Sequence, residues 1–283
     1  MKYATSVRTD PLHVDGWQLL APVLSGADDG HFGLPGDVEA ARSALAGAEA
    51  FPEPPVVDVA ATRERLVDGI VRAAEQGTKA PTARKVTEAM AAAAEADELR
   101  QALAEAVRRL GRRRDALLMG SAETIIVAHL RPAHDEAVAA AETAVAAIVE
   151  TGADPTEVLA ASEVLVAPKL RDARSALDAA RCRYEAVLGA RGVLVRANGG
   201  PSVDVQSMFG WARNGDGFRH ASATAPPPWP TDALAGFVWR VTGPAELWCP
   251  TGADQDARFE EVFADGLAAQ RNSRQATVGA FVG

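Results

Sequence analysis

Cysteine is scarce in this 283-residue chain, and Cys182 and Cys249 lie far apart in the sequence. Their spacing predicts neither a disulfide framework nor a zinc site. We expect Cys249 to be a buried structural thiol, because no residue near it in the sequence could act as its base. The phosphate-binding patterns GxGxxG, GxxxxGKS and GxxxxGKT are also missing. The sequence therefore predicts no cofactor and no metal site.

Long apolar runs are lacking as well. The segment TIIVAHL at 124–130 is far shorter than the roughly 18 residues that a membrane span needs. The N-terminal segment has no apolar core of the kind found in secretory signals. A cytoplasmic protein without a membrane partner is the expectation.

Positive charge is in deficit, since the formal net charge is −9. An acidic balance disfavours non-specific binding to nucleic acid or to anionic lipid, although a local basic patch remains compatible with it. Nucleic acid is therefore an unfavoured partner.

Aromatic residues make up only 5% of the chain and are unevenly placed. Tyr184 is the single one between Pro52 and Met208, whereas four of the five tryptophans follow within 211–248. This shift in composition predicts three regions: a loop-rich segment with a short helix at 1–55, a helical bundle or coiled coil at 56–192, and an aromatic-rich α+β module at 193–283. The predicted fold class is mainly α, with an elongated helical middle and a smaller α+β C-terminal module.

Alanine is abundant and favours helices. Capping and proline signals predict helices at about 59–76, 83–130, 133–150 and 169–191, with Pro132 ending the second of these. Leucines spaced by seven, at Leu103, Leu110 and Leu117, suggest a coiled coil, although an antiparallel bundle gives the same pattern. The helix at 133–150 should bury one small-residue face, formed by Ala137, Ala141, Ala144, Val145 and Ile148.

Strand signals are confined to the last third of the chain. Short runs rich in β-branched and aromatic residues occur at 193–196, 202–206, 237–242 and 245–249, and Gly243-Pro244 could join the last two as a hairpin. These runs are the basis for predicting an α+β module.

Five arginines occur in the segment AVRRLGRRRDALL at 106–118. On a helical wheel Arg108, Arg109, Arg112 and Arg113 share a face with Glu105, which predicts a solvated and partly neutralised surface. Arg114 instead projects into the apolar stripe, where it must extend to solvent or meet a carboxylate from another helix.

Three residues are predicted to make interactions: Arg114, Trp211 and Trp229. Trp229 is held in the stiff segment PPPWP at 226–230, which could present it to a partner or to a second copy of the chain. His129 and His134 are not spaced as a helical metal pair and are expected at the surface.

The function predicted first is a non-enzymatic structural, scaffold or adaptor protein that binds itself or other proteins through its helices. Self-binding would make it a homo-oligomer. A bacteriophage virion or assembly component is one setting that fits, and a cellular scaffold is another. The first alternative is a DNA-binding protein that uses a helix-turn-helix-like segment at 62–94, with Lys79, Arg84 and Lys85. The second is an enzyme whose site lies in the C-terminal module, where aromatics and the acids Asp254 and Asp256 could line a pocket.

Overall fold

The computed structural model describes residues 20–52, 54–162, 166–201, 203–217 and 230–264. Within these ranges the chain is mainly helical, as predicted, and has no strand. The helices are α1 (Ala21–Asp28), α2 (Gly36–Glu49), α3 (Val59–Glu75), α4 (Ala83–Gly120), α5 (Ala122–Ile125), α6 (Arg131–Val149), α7 (Pro155–Ala160), α8 (Arg171–Ala197), α9 (Val203–Phe209), α10 (Ala233–Thr242) and α11 (252–264). None of the helices in the described ranges is long and apolar enough to cross a bilayer.

The α+β C-terminal module was a wrong prediction. The run at 193–196 continues α8, the run at 202–206 leads into α9, and the run at 237–242 is the second half of α10. At 245–249 the backbone makes one isolated antiparallel bridge, between Ala212 and Leu247. Burial explains the error, because a helix that is covered on most sides carries an almost continuous apolar run and so resembles a buried strand.

The chain divides into two compact units. One comprises Gly36–Leu118, and the other comprises Met1–Pro35 together with Met119–Gly283. The three regions deduced from composition are a different division of the chain, and they stay a prediction.

The core of the larger unit lies between α6 and α8, with α10 packed onto it. The predicted seam of α6 is confirmed, since all five of its small and apolar residues are buried: Ala137, Ala141, Ala144, Val145 and Ile148. Tyr184 and Phe237 add aromatic rings to this layer, with ring centroids 5.5 Å apart. The α9 helix belongs to a smaller cluster, where Trp248 and Phe259 pack against Phe209.

The helical segment predicted at 83–130 is divided. The α4 helix ends at Gly120, α5 follows, and Ile126–Leu130 forms a π-helix in which the N–H of Arg131 donates to the carbonyl of Ile126. Contrary to the prediction, Pro132 does not end the helical segment. It lies in the first turn of α6, where a missing N–H is tolerated.

The smaller unit contains α2, α3 and most of α4. The α3 helix begins after Asp58, whose carboxylate accepts a hydrogen bond from the N–H of Ala61. It ends before Gly77, which has a φ of +62° and therefore terminates the helix as predicted. Burial is sparse from 59 to 118: the buried residues of α3 and α4 are Ala73, Ala93, Gly111, Arg114 and Leu118. The coiled coil suggested by Leu103, Leu110 and Leu117 stays a prediction.

Candidate functional site

Arg114 is buried, with 7% of its surface exposed. Its guanidinium lies 2.7 Å from the carboxylate of its neighbour Asp115. The burial follows from the position of Arg114 in the apolar stripe of α4. Its proposed part in an interaction stays a prediction.

The other four arginines of this stretch are exposed, and three of them surround one acid. The Glu105 carboxylate lies 2.9 Å from Arg108, 2.6 Å from Arg109 and 3.7 Å from Arg112. The hydrogen bond from Arg109, with the nearby charges of Arg108 and Arg112, lowers the pKa of Glu105. This face is therefore partly neutralised from within the helix.

Trp211 lies in an aromatic corner of the larger unit. The guanidinium of Arg240 stacks 5.0 Å from the centre of its ring, and Trp239 approaches edge-on at 6.5 Å. The Trp211 carbonyl accepts a hydrogen bond from the N–H of Trp248. Trp229 lies outside the described residues. The interactions predicted for both tryptophans stay predictions.

Asp254, one of the two acids that could line a pocket in the enzyme alternative, is held by hydrogen bonds at the start of α11. Its carboxylate accepts hydrogen bonds from the N–H of Thr251, at 2.8 Å, and from Arg131, at 2.7 Å. The Thr251 hydroxyl accepts in return from the N–H of Asp254, which caps the start of α11. Burial acts to raise the pKa of Asp254, but these hydrogen bonds and the Arg131 charge outweigh it and hold the pKa below its ordinary value.

Cys249 is buried, as predicted for a structural thiol. Burial raises its pKa to about 12, against the opposing charges of Arg191 and Arg131. A thiol with that pKa stays protonated at neutral pH and is a poor nucleophile.

Arg191 is a structural residue that our sequence analysis missed. It is buried in α8, where its Nε donates to the carbonyl of Pro250 and its Nη1 donates to the carbonyl of Gly210, both at 2.8 Å. Burial lowers the pKa of its guanidinium. Arg131 donates to the carbonyl of Cys249 from α6, so two arginines hold the 249–250 backbone. No sequence motif marks this clamp.

His134 was expected at the surface and is instead completely buried. Its Nδ1 lies 2.9 Å from the Asp135 carboxylate, and its ring packs 5.4 Å from Tyr184. Burial lowers its pKa, more than the neighbouring Asp135 raises it. Helical spacing could have predicted this burial. His134 lies three residues before Ala137 and seven before Ala141, and so on the same buried face of α6.

The residues of the DNA-binding alternative are exposed. Arg84 pairs with Glu88 at 2.8 Å, one turn along α4, while Lys79 and Lys85 face solvent. The acidic partner reduces the positive charge at the start of the second helix. DNA binding through 62–94 stays a prediction.

Among the exposed large apolar residues in the part of the chain that the structure describes, Val67, Ile70 and Val71 share one edge of α3. These side chains are 50%, 41% and 49% exposed. They lie at positions i, i+3 and i+4 and so form one continuous strip on the helix. Helical spacing places them on one face of α3, but spacing alone does not show whether that face is exposed.

Searches for similar proteins found no family model, no curated protein and no solved structure that matches this chain.

Proposed function

We propose that this protein is a non-enzymatic structural or scaffold protein that associates with itself through its helices. The observation that carries the proposal is the exposed apolar edge of α3, defined by Val67, Ile70 and Val71. An amphipathic helix that presents such a strip is suited to lie in a groove of a partner.

The free energy available from burying this edge supports the proposed function. Burying a Val or Ile side chain completely contributes roughly 1.5–3 kcal/mol, and about half of that remains to be gained at each of these positions. The three side chains together would then contribute roughly 2–4 kcal/mol to association. Such a contribution is a useful part of an interface but not all of one, so further contacts must add to it.

The surrounding helices favour the same conclusion. From 59 to 117 every leucine, isoleucine and valine of α3 and α4 is at least partly exposed. Leu99 is 47% exposed on α4. Helices of this length normally depend on burying an apolar face, and here much of that face is available to another molecule. A bacteriophage virion or assembly component, or a cellular scaffold, would use such surfaces.

The test is sedimentation velocity on the full chain over a range of micromolar concentrations. We expect concentration-dependent association of the wild type, and loss of most of it in the double variant Val67→Gln/Val71→Gln. The matched control is Arg65→Gln/Arg72→Gln, which changes two exposed positions on the opposite side of α3 and should associate like the wild type.

Circular dichroism should show unchanged helix content in both variants, since all four positions are exposed. A wild type that stays monomeric throughout the range, or a Val67→Gln/Val71→Gln variant that associates as well as the wild type, would show that the proposed function is wrong.

A further inference from the structure

A groove of about 690 Å³ lies between α6 and α8 in the larger unit. Alanines form most of its lining, among them Ala140 and Ala147 on α6 and Ala173 and Ala176 on α8. Ala140, Ala147 and Ala176 are exposed, so no described residue of the larger unit covers this part of the α6–α8 pair. The groove also contains two charged residues, Lys169 and Asp172.

We propose that the occupant of this groove is α3 of a second copy of the chain, with Val67, Ile70 and Val71 against the alanines. The inference rests on the proposed function and deepens it by identifying the surface that receives α3. The described residues contain two halves of one contact: an exposed strip of large side chains on α3 and an open groove of small ones between α6 and α8.

The sizes of the side chains are complementary. Alanine adds little bulk, so a helix can approach α6 and α8 near the close end of the usual 8–10 Å interaxial distance. Valine and isoleucine are stiff at the first side-chain torsion, and they therefore lose little conformational entropy when they enter such a channel.

The charges are complementary as well. Arg63 and Glu64 lie next to the apolar strip of α3, and Lys169 and Asp172 lie in the groove. All four side chains are exposed, and none of them forms an ion pair with another described residue. A docked α3 would bring a cation and an anion to a groove that holds one of each, which favours a single orientation of the incoming helix.

The contact joins two different surfaces of the chain. It can be reciprocated within a closed pair of copies, or it can repeat from copy to copy and build an open assembly. Either arrangement provides the self-association that the proposed function needs.

Disulfide trapping between separately purified variants tests the contact directly. One chain carries Val67→Cys and the other carries Ala140→Cys, both with the exposed Cys182 replaced as Cys182→Ser and the buried Cys249 left in place. Mild oxidation of the mixture should give a cross-linked pair that contains one chain of each kind, because the two thiols can meet only between copies. Arg65→Cys, on the opposite side of α3, replaces Val67→Cys as the control and should give at least tenfold less of that product.

A second experiment separates this inference from the proposed function. Ala140→Gln/Ala147→Gln fills the groove, and Glu142→Gln/Val149→Gln is its matched control on another exposed side of α6. By sedimentation velocity, we expect the groove variant to weaken association at least tenfold and the control to change it less than twofold.

The outcomes are distinct. If Val67→Gln/Val71→Gln weakens association and the groove variant does not, the groove is not the binding surface, although self-association through α3 stands. A Val67→Cys chain that cross-links only to another Val67→Cys chain would likewise overturn the groove and indicate contact between two α3 helices. If neither double variant changes association, both the groove and the proposed function are wrong.

Discussion

Arg114 and Arg191 are both buried arginines, but their partners differ. Arg114 pairs with the carboxylate of the adjacent Asp115, whereas Arg191 donates to two backbone carbonyls that are far from it in the sequence. A helical wheel identifies Arg114, because its apolar neighbours belong to the same helix. Arg191 can be recognised as a clamp only once Pro250 and Gly210 have been placed around it.

Replacing Arg191 with methionine, Arg191→Met, should lower the free energy of unfolding by about 2–4 kcal/mol. The reason is that two carbonyls would lose their donor in a buried place, and each unpaired buried group costs about 1–3 kcal/mol. Urea denaturation followed by circular dichroism measures the change. Arg196→Met, at an exposed position farther along α8, serves as the control and should stay within about 0.5 kcal/mol of the wild type. Equal effects at the two positions would contradict the clamp.

His134 should make stability depend on pH. Burial holds its folded-state pKa below the unfolded value of about 6.5, so the folded protein binds fewer protons than the unfolded chain in this range. The stabilising effect of a neutral His134 is therefore complete above about pH 6.5 and is lost progressively as the pH falls below it. We expect His134→Leu to reduce the fall in unfolding free energy between pH 7.5 and 5, measured by urea denaturation. Parallel profiles for the wild type and the variant would count against this role.

At the scale of single helices, α4 shows how little an exposed charged face contributes to folding stability. Arg108, Arg109 and Arg112 keep two thirds or more of their side chains exposed while they surround Glu105. Solvent screening and side-chain entropy leave exposed pairs of this kind with about 0–1 kcal/mol each.

Changing the whole face should therefore have less effect than changing one buried residue. The quadruple variant, which replaces Arg108, Arg109, Arg112 and Arg113 with glutamine, should keep a thermal midpoint close to that of the wild type. Arg114→Leu should shift it more, because that substitution leaves the Asp115 carboxylate without its guanidinium. Thermal unfolding of the two variants side by side gives the comparison. A larger shift in the quadruple variant would mean that the exposed face is bound to something.

The α8 and α10 helices illustrate why a local pattern can indicate a strand where the chain forms a helix. Val193 and Val195 have strand propensity, and so do Phe237 and Val238. In α8, however, Val187, Ala190 and Leu194 are buried at helical spacing, and the β-branched residues extend that face. Tertiary packing therefore overrides a propensity that spans only a few residues.

At the scale of the whole molecule, the two units differ in how fully each covers its own apolar side chains. The larger unit buries a continuous core between α6, α8 and α10. The helices α3 and α4 of the smaller unit bury mainly small residues and leave Val67, Ile70 and Leu99 about half exposed. Contiguous exposed apolar surface is a general feature of interaction sites, which is why self-association is the function proposed.

The sequence by itself determined the local features of this protein. The helical class, the end of α3 before Gly77 and the small-residue seam of α6 all depend on residues a few positions apart. Capping, glycine conformation and helical periodicity act over that distance, so a pattern is enough to predict them.

Only the tertiary structure decided what depends on distant parts of the chain. It made helices of 193–196 and 237–242, buried His134, and placed Arg191 against Pro250. It also decided that Val67 stays exposed, which no periodicity could show, because an apolar face is identical in sequence whether its cover comes from the same chain or from another. The physical reason is that burial is a property of the surroundings, and those surroundings are assembled from segments that the local sequence does not contain.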